Sequence, residues 1–123
     1  MKTIFVIDDD QTSRTMLTKL VETPERRVLA LPDAIECIDL LRTHEPDAII
    51  LDLDMPIFDG ERFIDYLAGV APEIIERVII VSGSSSLLRR RSWPVRAVLE
   101  KPVDVPTLLR LLEWDAESGR REE

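Results

Sequence analysis

Cysteine is nearly absent. Cys37 stands alone in 123 residues, so no internal disulfide can form, and the expected setting is a reducing one. It falls in an apolar helical pattern and reads as a small core residue. No apolar run approaches the roughly 18 residues of a membrane span. The opening "MKTIFVIDDD" has only four apolar residues in a row before its acids, too few for a signal peptide. The expected location is therefore the cytoplasm. Basic excess is lacking too: the net charge of −8 argues against a general binder of phosphate backbones, with Arg89-Arg90-Arg91 the local exception. Domain linkers and internal repeats are also missing. The length is that of one ordinary domain.

What is present is a core. Hydrophobic residues make up 45% of the chain, enough to fold without staples. They come in two alternating kinds. Short runs rich in β-branched residues occur at 3–7, 26–31, 47–51, 77–81 and 96–99. Several lack polar alternation, as strands covered on both faces do. Between them lie helical patterns. Residues 12–22 carry Met16, Leu17, Leu20 and Val21. Residues 33–43 start at Asp33 as a cap and carry Ile35, Cys37, Ile38 and Leu41. Residues 60–70 carry Phe63, Ile64, Leu67 and Val70. Residues 84–91 make at best a short helix, ended by Trp93-Pro94. The last helix spans 105–114, with Asp104 as cap and Pro106 in its first turn. Five strands alternating with five helices predict βαβ units, a parallel sheet and helices on both faces.

Ligands bind open α/β sheets at the carboxyl edge, and the strand ends here carry the chemistry. Asp8, Asp9 and Asp10 follow the first strand, and Asp52 follows the third in "LDLDMP". Ser82-Gly83 ends the fourth, and Glu100-Lys101-Pro102 ends the fifth. The second, ending "LPD", offers nothing obviously chemical. One acid of the first group suffices to cap a helix; three do not have that excuse. Two like charges about 4 Å apart repel by about 4 kcal/mol at an effective dielectric of 20, so converging carboxylates call for a cation. An all-oxygen site with few protein ligands suits Mg²⁺. Lys101 as a simple salt-bridge partner is the plainer alternative. Mg²⁺, a lysine, a serine hydroxyl and a backbone N–H together form the set that binds three phosphoryl oxygens.

The ordered motifs "FVIDDD … AIILDLDMPIFDG … IIVSG … LEKP" resemble the receiver domain of two-component response regulators, over nearly the whole chain from Thr3 to about Glu113. The 43 positions from Asp9 to Asp52 and the 30 from Asp52 to Ser82 match the family's layout. The resemblance implies a flavodoxin-like doubly wound α/β fold of strand order 2-1-3-4-5, a receiver domain over 1–115 and a polar tail over 116–123. It implies Asp52 as phosphoacceptor, Asp9 and Asp52 as Mg²⁺ ligands and Asp8 holding the metal's waters. Asp54 would give a main-chain carbonyl to the metal, with its side chain at the mouth beside Ser84; both positions tune hydrolysis of the phosphate in the family. Ser82 and Lys101 would contact phosphoryl oxygens, and Lys101–Pro102 would be cis. Asp10 is left to start the first helix.

The function so implied is that of a single-domain response regulator. It takes phosphate from a histidine kinase or histidine phosphotransfer protein, catalyses nothing beyond its own phosphorylation and dephosphorylation, and signals to a protein target without nucleic acid or membrane. Two other classes compete. One is a receiver-like interaction module that is not phosphorylated. The other is a haloacid-dehalogenase-type phosphohydrolase, whose DxD motif follows the first strand, whereas Asp52 and Asp54 follow the third. Two departures from the family concern output. Val98 stands where switching members carry Tyr or Phe, and 19 positions from Ser82 to Lys101 are fewer than usual, so the fourth helix should be short or irregular. "LLRRRSWP" in that region reads as inward-packed leucines, solvated arginines and a Trp93 that covers the core edge. The functional alternative is a docking surface for an acidic partner or, through the 84–114 face, a second copy. Trp114 reads as packing, and His44 as a helix-end residue.

Overall fold

The computed structural model describes residues 1–55 and 60–113. The proposed tail at 116–123, its boundary at 115 and Trp114 lie outside the described residues. Strands β1 (Lys2–Ile7), β2 (Arg26–Leu31), β3 (Ala48–Asp52), β4 (Val78–Ser82) and β5 (Ala97–Glu100) form one parallel sheet in the order β2-β1-β3-β4-β5. The helices are α1 (Gln11–Val21), α2 (Ala34–Leu40), α3 (Gly60–Val70), α4 (Pro72–Ile75), α5 (Ser85–Arg89) and α6 (Val105–Leu112). This is the doubly wound fold expected, with the helix between β4 and β5 cut to five residues.

Strand residues alternate between two cores. Phe5, Ile7, Ile49, Leu51, Val78 and Ile80 face α2, α3 and α4, where Cys37, Phe63, Ile64, Leu67, Ile74 and Ile75 meet them. Ile4, Val6, Ile50, Ile79 and Val81 face α1 and α6, against Val21, Leu108 and Leu112. Each such Ile, Leu or Phe taken from water contributes about 1.5–3 kcal/mol, which is why the three inner strands are apolar on both faces.

Caps fix where the helices begin. Asp10 accepts the Ser13 amide at 2.8 Å, Asp33 the Glu36 amide at 2.8 Å and Asp104 the Thr107 amide at 3.1 Å. The third acid of the opening run is therefore the one that starts α1. Two features differ from expectation. Among the described residues the five helices become six: Pro72, preorganised for a first turn, opens the one-turn α4, whose Ile74 and Ile75 fill the core beside α3. The apolar stripes of α1 and α2 are also wider than the surface they cover. Met16 and Ile35 stay 57% and 56% exposed, because each helix packs on the sheet through a narrower face.

Cys37 is buried, and burial pushes its thiol up to about 12. The thiolate is the reactive form. Folded protein should therefore not react with an aromatic disulfide reagent near pH 8 until denaturant is added. Stoichiometric labelling at the rate of a free thiol, followed by absorbance, would contradict this packing.

Candidate phosphoacceptor site

Register brings the chemistry together. Ile7 pairs with Leu51, Asp52 with Val81, and Ser82 with Glu100. The next residues, Asp8-Asp9, Leu53-Asp54, Gly83 and Lys101, therefore leave the sheet side by side. Backbone bonds continue the ladder past the strands: the Asp8 amide donates to Leu31 O at 3.1 Å, Leu53 to Val81 O at 2.9 Å and Lys101 to Ser82 O at 2.9 Å. Among the described residues, the buried polar side chains are Asp8, Asp52 and Ser82, all at this edge. Burying polar groups is costly, and these three are gathered in one place.

Carboxylate oxygens of Asp8, Asp9 and Asp52 lie within 4.8 Å of one another. Full charges at that spacing repel by about 3 kcal/mol at an effective dielectric near 20. The strain registers on Asp8: burial foremost, and Asp52 beside it, push its carboxyl up to about 6 against the lowering effect of the Asp10 amide, which donates to Asp8 Oδ1 at 2.9 Å. Arg14 fixes the turn by donating to Asp8 O at 2.7 Å. A buried acid that resists ionisation beside two others, with oxygen donors only, fits a hard divalent cation such as Mg²⁺.

On the other side, the Lys101 ammonium stands 3.4 Å from Asp52 Oδ1 and 3.7 Å from Asp54 Oδ2. Partial burial would lower its pKa, but Asp52, Asp8 and Asp54 outweigh that and raise it. The Lys101–Pro102 peptide is cis. Asp52 Oδ1 also accepts the Asp54 amide at 2.9 Å.

The Asp54 side chain does more than face the mouth. Its Oδ1 accepts the Ser82 hydroxyl at 2.6 Å and its Oδ2 accepts the Gly83 amide at 2.8 Å. Burial would raise its pKa, yet the Gly83, Ser82 and Lys101 contacts hold it below the usual carboxylate value. The only signal for this in the sequence is the i, i+2 spacing of Asp52 and Asp54 opposite Ser82-Gly83. Ser84 is committed elsewhere: its hydroxyl accepts the Leu87 amide at 3.1 Å and caps α5.

The segment after α5 folds back on the protein. Leu87, Leu88 and Trp93 pack on the core, and the Trp93 indole N–H donates to Leu88 O at 2.9 Å. Arg91 lies over the Trp93 ring at 4.6 Å and bonds Glu61 at 3.0 Å and Asp65 at 3.1 Å, both on α3. Arg90 also pairs with Glu61. Two of the three arginines expected to be solvated or to dock a partner are thus tied down within the chain. The His44 ring Nδ1 meets the Thr43 hydroxyl at 2.9 Å, and its amide donates to Leu40 O at 2.9 Å, as suits a helix-end residue.

Comparison with known proteins agrees with this geometry. Protein-glutamate methylesterase/protein-glutamine glutaminase 2 of Pseudomonas aeruginosa is 35% identical over 103 residues, which is 80% of this chain and 30% of that protein. A homologous enzyme of Burkholderia thailandensis, numbered 3, is 34% identical over 80% of this chain and 29% of its own length. The chain thus spans about 30% of the curated relatives it matches. In fold it resembles the receiver domain of Francisella response regulator 1452, with a TM-score of 0.77 at 23% identity over 91% of this chain and 93% of that one. A response regulator receiver domain from Clostridium thermocellum gives 0.78 at 24% identity over 91% of both chains. The family model of the response regulator receiver domain covers residues 4–113, from inside β1 to the end of α6, and so takes in every strand end that meets at the acidic edge: this chain belongs to the response regulator receiver domain family.

Proposed function

We propose that this chain accepts a phosphoryl group on Asp52 from a phosphohistidine of a histidine kinase or phosphotransfer protein, in a Mg²⁺-dependent reaction, and signals by protein–protein contact. One observation carries the reading. The Asp52 carboxylate belongs to an acidic cluster suited to a cation and also meets Lys101, which shares Asp54 with the Ser82 and Gly83 donors suited to phosphoryl oxygens. An Asp52 carboxylate oxygen attacks phosphorus, the P–N bond breaks, and its electron pair returns to the imidazole of the donor. Asp8, Asp9, Asp52 and the Asp54 main-chain carbonyl would hold the metal. Bound there, Mg²⁺ would supply charge neutralisation to the carboxylates and to the entering phosphoryl group. Lys101 balances the charge gained on Asp52, and the Ser82 hydroxyl and Gly83 amide orient the new oxygens.

Output needs a route other than an aromatic ring, since Val98 lies exposed on the edge strand β5. Ser82 supports one: its Oγ accepts the Ser84 amide at 3.0 Å, and Ser84 caps the helix whose Leu88 carbonyl holds Trp93. A shift of Ser82 toward phosphate would pull this segment and the Arg91 clasp on α3. Incubation of the full chain with acetyl phosphate tests the reading. One acid-labile phosphate per chain, dependent on Mg²⁺ and accompanied by altered contact with a partner, is expected. No label under any divalent condition would refute it.

A pH dependence follows from Asp8. Metal binding requires its carboxylate, and the proton leaves only above about 6. Mg²⁺ affinity measured by calorimetry should therefore be flat above about pH 7 and fall about tenfold per unit below Asp8's value. The sign for the metal-free fold is the reverse. An acid whose folded pKa lies above 3.8 stabilises the fold as pH falls toward that value, and this is lost as pH rises through about 6. Equal Mg²⁺ affinity near pH 5 and pH 7.5 would contradict the assignment.

A further inference from the structure

The Asp54 carboxylate engages Ser82, Gly83 and Lys101 at once. A hydroxyl, an amide and an ammonium are the donors that the phosphoryl oxygens need, so a side chain of the protein already sits on that seat. We propose that Asp54 is an internal occupant of the phosphoryl seat, competing with the phosphoryl group for Ser82, Gly83 and Lys101 and thereby setting how readily the site accepts a phosphoryl oxyanion. This rests on the reading of Asp52 as phosphoacceptor and adds a residue that opposes the reaction rather than promoting it.

Three features favour competition over a mere tie between loops. The contacts use both carboxylate oxygens, one on Ser82 and one on Gly83, as an incoming oxyanion would use two of its own. Asp54 is two residues from Asp52 and its amide donates to the Asp52 carboxylate, so the occupant and any group on Asp52 cannot share the same donors. The Asp54 side chain is also one-third exposed, so it can turn to water when displaced and recover its hydration. Asp52, buried at 5% exposure, has no such exit. The Ser82 hydroxyl is accordingly spent on Asp54 before any phosphate arrives, and must leave it to reach a phosphoryl oxygen.

The two roles predict opposite signs. A structural tie, once cut, loosens the Ser82 loop and weakens binding at the seat. An occupant, once removed, frees the donors and strengthens it. The probe is beryllofluoride with Mg²⁺, an inert phosphoryl analogue, titrated calorimetrically against the full chain. Asp54→Ala is expected to bind it about tenfold more tightly than wild type, the scale of one charge-assisted hydrogen bond. Asp54→Asn, which keeps an acceptor oxygen and loses the charge, should fall between. Asp10→Asn controls for charge alone. Asp10 is exposed and also acts on Lys101 through space, yet its side chain caps α1 through the Ser13 amide rather than bonding the three donors, and asparagine preserves that cap. It should stay within about twofold of wild type. Unchanged or weaker binding by Asp54→Ala, or an Asp10→Asn gain equal to that of Asp54→Ala, would overturn the proposal while leaving Asp52 as acceptor. No uptake by the wild type would overturn the phosphoacceptor reading and this proposal with it.

Discussion

Asp52→Asn is expected to abolish acid-labile phosphorylation by acetyl phosphate and Mg²⁺ while leaving the fold intact. The amide is close in shape to the carboxylate it replaces, so the buried end of β3 keeps its packing. It has no nucleophilic oxygen of comparable strength, and without one the P–O bond cannot form. The Lys101 pair with Asp52 is lost, but Lys101 is about one-third exposed and keeps Asp54 at 3.7 Å, so its charge is not left buried and unpaired. Against that loss stands relief of the repulsion between Asp52 and Asp8. Metal-free Asp52→Asn should therefore melt no lower than wild type, a sign opposite to that of an ordinary buried substitution. Phosphate retained at the wild-type level, on whatever residue, would remove Asp52 from its role.

Gly60→Val is the second large effect, and it links packing to the site. A Cβ at Gly60 would lie 2.9 Å from Leu53 Cδ2 and 3.0 Å from Leu53 Cα. The first contact can yield by a rotamer change; the second is backbone and cannot. Any gain in helix propensity, at most about 1 kcal/mol, is small at the first residue of α3. Overpacking costs about 1–3 kcal/mol or more, so the clash wins and the melting temperature should fall by about 10 °C. Because Leu53 follows Asp52 directly, the shift also displaces the acceptor, and labelling should slow even in the folded fraction. Gly69→Ala on the same helix is the counter-case. Nothing lies within 4 Å of its Cβ, so alanine should stabilise by about 0.5–1 kcal/mol. Thermal melts that rank the two variants the other way would show the Gly60–Leu53 contact to be slack.

How much of this could be read from the sequence depended on range. The β-branched runs were readable because strands buried on both faces carry no competing pattern; each begins and ends within one residue of its expected place. The caps at Asp10, Asp33 and Asp104 were readable because capping is local chemistry. Convergence of Asp8, Asp9, Asp52, Ser82 and Lys101 followed once the sheet was recognised as parallel, and it needed no side-chain detail. Contacts between distant side chains were not readable. Arg91 reaches Glu61 and Asp65 across 30 and 26 positions, and nothing in "RRRSW" announces those partners. The engagement of Asp54 depends on which way a carboxylate about one-third exposed turns. The α4 turn at Pro72–Ile75 is too short to show helical periodicity. Nor does an amphipathic stripe reveal how much of itself will be covered, as Met16 and Ile35 show.

Borohydride reduction puts the central claim to its most direct test. An acyl phosphate on aspartate is reduced to homoserine, and peptide mass spectrometry then locates it. The full chain treated with acetyl phosphate should carry homoserine at position 52 when Mg²⁺ is present and at no position when the metal is chelated. Homoserine at another aspartate, or a stable phosphate on Ser82 with Asp52 unmodified, would contradict the account.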